Sequence, residues 1–229
     1  MKITVVFNNF NISEDLVPAW GMGAVVDTGR EKILFDTGSD GGVLLENMKR
    51  LGISPLAISK VVISHNHWDH TGGLRDLMGA NPAVEIYAPD LDREVRTMAS
   101  AAGADIHLTR EPVLIAEGIF TTGVFLHPVP EQALVLAASS GHVVLTGCSH
   151  PGVVNLVLSA PEPRFLVTGG FHLFRSSPEA VRAAAIALEE TGVEFIAPSH
   201  CTGETAMEYF REFFGSRFVY GGLGAVFEF

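Results

Sequence analysis

The segment Ser64-His65-Asn66-His67-Trp68-Asp69-His70 concentrates three imidazoles and a carboxylate within six consecutive positions. In extended backbone, residues two apart point the same way, so His65 and His67 can grip one ion. Asp69 and His70 follow in a turn and can aim at a second. With the chain's own His and Asp frequencies, H-x-H-x-D-H should arise about 0.0005 times by chance, so ordinary scattered histidines do not explain it. An ion held by two imidazoles needs a third protein ligand and an open position for water. His150 in Gly147–His150 and His200 in Pro198–Cys201 are the natural candidates, and His172 in Gly169–His172 is a further one. Nitrogen- and oxygen-rich ligation suits one or two Zn²⁺ ions, with Mn²⁺ or Fe²⁺ as alternatives.

Such a centre implies metal-assisted attack. A divalent ion lowers the pKa of its water from 15.7 towards about 7, which supplies hydroxide at neutral pH. Asp69, with one oxygen on metal and the other near the nucleophile, could shuttle a proton and is a catalytic candidate. His172 either ligates metal, hydrogen-bonds substrate, or is structural. Asn8 and Asn9 close the first strand and are read either as substrate-lining residues or as surface turn residues. Arg175 is read either as a clamp for a carboxylate or phosphate or as a solvated loop arginine. Thr202 is a candidate helix cap, and Trp68 is expected to pack the histidine loop. Cys148 and Cys201 flank the ligand candidates; such residues are commonest as small buried thiols, and a thiolate could join a metal's shell.

The positioning elements alternate in type. Strands are expected at Ile3–Asn8, Gly23–Asp27, Lys32–Asp36, Lys60–Ser64, Val84–Ala88, Ala133–Ala138, His142–Thr146, Phe165–Thr168 and Glu194–Ala197. Thr28–Arg30 reads as a hairpin turn. The apolar run Val61–Ile63 lacks alternation and suits a strand covered on both faces. Helices are expected over Gly42–Leu51, Asp90–Ala102, Pro178–Glu190 and Glu204–Phe214, with Arg217–Tyr220 and Ala225–Phe229 as closing paired strands. Gly72 and Gly73 are expected to permit a tight turn. Six of the nine histidines fall just after an expected strand, where open α/β folds hold ligands. With no Pro/Gly/Ser-rich divider, residues 1–229 read as a single layered α/β domain.

In order and identity, Leu34–Gly38, Ser64–Gly73 and the later histidine segments resemble the metallo-β-lactamase superfamily over nearly the whole chain. The later segments resemble more narrowly the dihydropterin ribofuranosylaminobenzene 5'-phosphate synthase-like subgroup. The resemblance implies an αββα sandwich with a metal site at one edge. It implies that His65, His67 and His150 hold one ion and that Asp69, His70 and His200 hold a second. Asp36 would then support the histidine loop without binding metal; from the residues alone it is a turn carboxylate in Asp-Thr-Gly. One departure stands out: the superfamily usually places a bridging Asp before the last histidine, and Val167–His172 contains no acid. An imidazole at His172 offers one lone pair and does not bridge as a carboxylate does.

A formal net charge of −11, from 15 basic against 26 acidic residues among 229, argues against a nucleic acid or anionic membrane partner. Mean hydropathy is +0.29, yet the apolar runs stop far short of the roughly twenty residues a spanning helix needs. The apolar stretch after Lys2 is too short for a signal-peptide core. A cytoplasmic protein acting on a small molecule is the expectation, with the oligomeric state open. The leading function is a metal-dependent hydrolase of a small ester, lactone, thioester or phosphoester. The alternatives are a synthase joining an aromatic amine to a ribose phosphate donor, and a non-catalytic metal- or ligand-binding protein. Di-iron oxygen chemistry is disfavoured because His67 stands where such relatives generally carry Glu.

Overall fold

The computed structural model describes all residues from 1 to 229, and the chain divides into two compact units, Met1–Arg110 with Gly222–Phe229, and Glu111–Gly221. The first unit contains β1 (Lys2–Asn8), β2 (Met22–Asp27), β3 (Lys32–Phe35), α1 (Gly41–Arg50), β4 (Ile58–Val62), α2 (Trp68–Thr71), α3 (Leu74–Ala80), β5 (Glu85–Ala88), α4 (Arg93–Ala102) and β6 (Asp105–Leu108). Its seven-stranded sheet runs from the chain's last strand, Val226–Glu228, through β1, β2, β3, β4 and β5 to β6. β2 and β3 form the expected hairpin, paired from Ala24↔Phe35 to Asp27↔Lys32. From β3 onward the pairing is parallel.

The second unit contains β7 (Leu114–Ala116), β8 (Ile119–Thr121), β9 (Leu134–Ala138), β10 (Gly141–Thr146), α5 (Val153–Leu158), β11 (Arg164–Gly170), α6 (Pro178–Glu190), β12 (Phe195–Ser199) and α7 (Glu204–Phe214). Its six-stranded sheet runs in the order β12, β11, β10, β9, β8, β7. β10, β11 and β12 are parallel, and the remaining pairs are antiparallel.

Each sheet buries one face against its own helices. Val25, Leu34, Val61 and Ile86 join Leu44, Met48, Leu74 and Leu77 in one core cluster. Val135, Val144, Val167 and Ile196 join Leu156, Val181, Leu188 and Phe210 in another. The opposite faces are buried too, at Ala24, Val26, Ile33, Phe35 and Val62 in the first unit and at Leu134, Leu136, Val143, Leu145 and Leu166 in the second. Burial on both faces accounts for the unbroken apolar runs of these strands.

Local chemistry sets the helix ends. Asp40 accepts from the Val43 N–H at 2.9 Å to open α1. Ser177 accepts from the Ala180 N–H at 3.3 Å, with Pro178 in the first turn of α6 where a missing N–H costs nothing. The expected terminal hairpin does not form. Gly215–Arg217 is a 3-10 turn, and the last strand pairs with β1 instead, from Lys2↔Glu228 to Thr4↔Val226. A hairpin signal is local, whereas an edge of an existing sheet offers a ready ladder of unpaired backbone groups.

Candidate metal centre

In the first unit the site is built on the carboxyl ends of β3 and β4. Asp36 follows β3 with φ +57°, and His65 lies three residues beyond β4. Asp36 is fully buried. Its Oδ1 accepts from the Ser64 N–H at 2.7 Å, and its Oδ2 accepts from Ser64 Oγ at 2.7 Å and His70 Nδ1 at 2.6 Å. The single hydroxyl proton of Ser64 goes to Asp36, so at 2.8 Å the same oxygen accepts from His65 Nδ1. One carboxylate thus puts the Nδ1 proton on both His65 and His70 and makes Nε2 the acceptor nitrogen of each ring. Burial pushes the Asp36 carboxyl up, against the downward pull of the His70 ring and the two Ser64 donors.

The ligand candidates converge. His65 Nε2 lies 3.0 Å from His67 Nδ1. The His65 and His70 ring centroids are 4.2 Å apart, and His70 Nε2 is 3.9 Å from Asp69 Oδ2. Three imidazole faces and a carboxylate crowded at the mouth of buried backbone are a donor set that suits a divalent cation.

Trp68 and the glycines differ from expectation. Trp68 is 65% exposed, because α2 turns it away from the histidine loop. Trp20 takes the polar contact instead, its Nε1–H donating to Asp69 Oδ2 at 2.9 Å. No motif in the sequence marks Trp20. Gly72 and Gly73 have ordinary right-handed φ values of −61° and −81°. They are needed for close approach: a Cβ on either would strike the carbonyl oxygen of Ser39 or Thr37.

In the second unit, three loops follow consecutive parallel strands: Gly147–His150 after β10, Phe171–Arg175 after β11, and His200–Gly203 after β12. Glu131, which sequence reasoning missed, is fully buried and organises the first loop. Its Oε1 accepts from the N–H groups of Cys148 at 2.9 Å and Ser149 at 2.7 Å. Its Oε2 accepts from the His150 N–H at 2.7 Å and from His150 Nδ1 at 2.8 Å. The His150 Nε2 lone pair is thereby turned outward for a ligand. Burial raises the Glu131 carboxyl, but the His150 ring and the loop N–H groups outweigh it and hold the pKa below the usual value.

The three loops are stitched together. Ser149 Oγ donates to Gly170 O at 2.6 Å, and Thr202 Oγ1 accepts from the Phe171 N–H at 3.1 Å while donating to Ser199 O at 2.7 Å. Thr202 is therefore not the cap of α7; that position belongs to Gly203. The His150 and His172 ring centroids lie 4.4 Å apart. Ser149, His172 and His200 all have positive φ, at +63°, +52° and +50°. With Asp36 they are the only non-glycine residues of the chain so placed, each just past a parallel strand. Backbone held in this sparse region is characteristic of functional sites.

Cys201 Sγ donates to Cys148 O at 3.5 Å. Burial pushes the Cys201 thiol up, but hydrogen bonds from Cys148 and His172 and the charges of His200 and His172 bring it well below the usual thiol range. A cavity of about 200 Å³ adjoins the second loop, lined by Leu173, Phe174, Pro178, Val181, Ala206 and Tyr209 among others. Arg175 is exposed and places its guanidinium over the Phe174 ring, 5.2 Å from the centroid. Asn8 is fully buried, and its Oδ1 accepts from the Phe10 N–H at 3.0 Å; Asn9 beside it is half-buried.

The profile of the metallo-beta-lactamase superfamily matches residues 23–200. The chain belongs to this superfamily. It is 30% identical, over 87% of its length and 85% of the relative's, to 7,8-dihydropterin-6-methyl-4-(beta-D-ribofuranosyl)-aminobenzene-5'-phosphate synthase of Methanocaldococcus jannaschii. It is also 33% identical to the atrochrysone carboxyl ACP thioesterase of Passalora fulva, over 36% of this chain and 26% of that one. The crystal structure of Tm1679, a metal-dependent hydrolase of the β-lactamase superfamily, matches 100% of this chain and 99% of its own, with a TM-score of 0.85 and 28% identity. The mixed α/β fold with its two sheets is therefore of the metallo-β-lactamase type, a fold that implies divalent metal binding. No helix is long and apolar enough to cross a membrane.

Proposed function

We propose that this superfamily member is a metal-dependent hydrolase of a small ester, lactone, thioester or phosphoester. In this reading His65, His67 and His150 hold one ion, and Asp69, His70 and His200 hold a second, with His172 at the second or facing substrate. The observation that carries it is the Asp36–Ser64–His65 and Asp36–His70 hydrogen-bond chain, which makes Nε2 the ligand-side nitrogen of both rings, that of His65 beside His67 and that of His70 beside Asp69. A side chain with only a packing role needs no such control of its tautomer.

A divalent ion bound there, Zn²⁺ by its donor preference, supplies Lewis-acid polarisation and a water acidified towards neutral pH. The chain's own groups do the rest. Asp69, held by the Trp20 N–H, orients the attacking water and takes its proton. Where it faces substrate, His172 donates to the oxygen that gains charge, and the apolar cavity beside Leu173 and Phe174 receives the non-reacting part of the substrate.

The test is to measure metal content of the purified protein and then assay a panel of esters, lactones, thioesters and phosphoesters with product analysis. Turnover that disappears on chelation and returns with zinc supports the hydrolase; a metal-loaded protein inert across the panel overturns it. The second reading, a synthase condensing an aromatic amine with a ribose phosphate donor, is favoured by the 30% identity over most of both chains to the M. jannaschii enzyme. Release of the donor's leaving group only when an aminobenzoate is present, with a product that carries both the aromatic ring and the ribose phosphate, would select it.

A further inference from the structure

At the end of β11 and in the loop that follows it, where superfamily members usually carry an acid, Val167–His172 contains none, and a divalent ion there lacks an anionic partner from that loop. Two sulfur atoms lie beside the gap. The ligand atoms of Cys148, His172 and Cys201 all lie within 4.8 Å of one another. They arise from the loops after β10, β11 and β12, three neighbouring parallel strands, at the carboxyl ends where such sheets hold ligands.

We propose that Cys148, Cys201 and His172 form a thiolate-rich subsite for a soft divalent ion, supplying the negative charge that the missing acid would have brought. The proposal rests on the reading that the protein binds a divalent metal, and it names which of its donors are anionic. In a tetrahedral shell with metal–sulfur bonds of about 2.3 Å, ligand atoms sit roughly 3.7 Å apart. The observed separations therefore need a contraction of about an ångström at most, with no rearrangement of the strands.

The surroundings leave room for it. Gly170 is required at its place because a Cβ there would lie 2.7 Å from Cys201 Sγ and 3.3 Å from Cys148 Cα. Both cysteines are buried, at 4% and 2% exposure, whereas His172 is exposed. The subsite is thus closed on its sulfur side and open at the imidazole, the arrangement of an ion that keeps a position for an exchangeable ligand. On binding, each thiol releases its proton to solvent and two thiolates neutralise a divalent charge. Thiolate donors favour Zn²⁺, Co²⁺ or Fe²⁺ over Mn²⁺ or Mg²⁺.

The experiment is cobalt substitution of the full chain under reducing conditions, read by absorption spectroscopy. The expected result is a near-ultraviolet thiolate-to-cobalt charge-transfer band, weakened in Cys148→Ser and in Cys201→Ser, abolished in the double variant, and shifted in His172→Ala. X-ray absorption of the zinc-loaded wild type supplies a second readout independent of any variant's folding, with sulfur scattering expected at about 2.3 Å. Bound cobalt with no thiolate band, or zinc surrounded only by nitrogen and oxygen, overturns the thiolate subsite and leaves the metal-dependent reading standing. A chain that binds neither ion overturns both.

Discussion

Asp36 in the first unit and Glu131 in the second are the same device with different workloads. Each is a fully buried carboxylate that accepts from the backbone of a histidine loop and from the Nδ1 of a histidine in it. Asp36 takes one backbone N–H and spends its remaining capacity on Ser64 Oγ and His70. Glu131 takes three backbone N–H groups, those of Cys148, Ser149 and His150, and one ring. The donors on Asp36 do not offset its burial, so its carboxyl is pushed up; those on Glu131 do, so its carboxyl is held down. Asp36 therefore mainly sets the tautomers of candidate ligands, whereas Glu131 also folds the loop that presents one.

The comparison breaks most visibly if the histidines themselves are changed. His65→Ala with His67→Ala is expected to abolish activity and to remove the ion assigned to these two residues while the fold, monitored by circular dichroism, survives; retention of full metal would sink their assignment. Replacing the supporting carboxylates should be milder for metal, with Asp36→Asn and Glu131→Gln each lowering affinity about 10- to 100-fold, measured by competition with a chelator.

Stability should separate the two. Glu131→Ala strands three buried N–H groups at about 1–3 kcal/mol each, so chemical denaturation should show a loss of roughly 3 kcal/mol or more. Asp36→Ala strands one backbone N–H, a ring N–H and a hydroxyl that can rotate to another acceptor, and should cost less; an equal or larger loss would put loop folding in the hands of both residues. Their pH dependence in the metal-free protein should have opposite sign. Glu131 has a lowered folded pKa, so its stabilisation is present above the unfolded value of 4.5 and lost as pH falls through the folded one. Asp36 has a raised folded pKa, so the wild type loses stability relative to Asp36→Asn as pH rises from 3.8 through the folded value. Slopes of the same sign in the two variants would contradict the contrast drawn from their donors.

The smallest effect concerns a contact with no counterpart in the second unit. Trp20→Phe keeps the ring and removes the donor to Asp69, a hydrogen bond to a charged acceptor worth about 1.5–3 kcal/mol. We expect kcat to fall by roughly tenfold with KM nearly unchanged. A rise in KM alone would show that Trp20 acts on binding and not on Asp69.

Much of the scaffold was legible because it is written in short-range pattern. The apolar runs of Val61–Ile63 and Phe165–Thr168, the Thr28–Arg30 turn and the Pro178 helix start each depend on neighbours in sequence, and each appears as read. The sequence does not mark the short strands β6, β7 and β8, since three or four residues are too few to show a periodicity until a neighbouring strand pairs with them. Local context suggests packing for Trp68 and capping for Thr202, but Trp68 is exposed and Trp20, 49 residues from Asp69, makes the contact to the histidine loop, while Thr202 is drawn to the Phe171 N–H, 31 residues away.

By itself the sequence marked the candidate ligands, because the spacing His65, His67, Asp69, His70 survives in any fold that keeps the segment continuous. It determined too that no acid lies between Val167 and His172. Only the tertiary structure decided what supports those ligands. Glu131 is 19 residues from His150 and Asp36 is 34 from His70. Such partners are chosen by strand order and register, through the need of every buried carboxylate and backbone N–H to find its complement, and no local pattern records that choice.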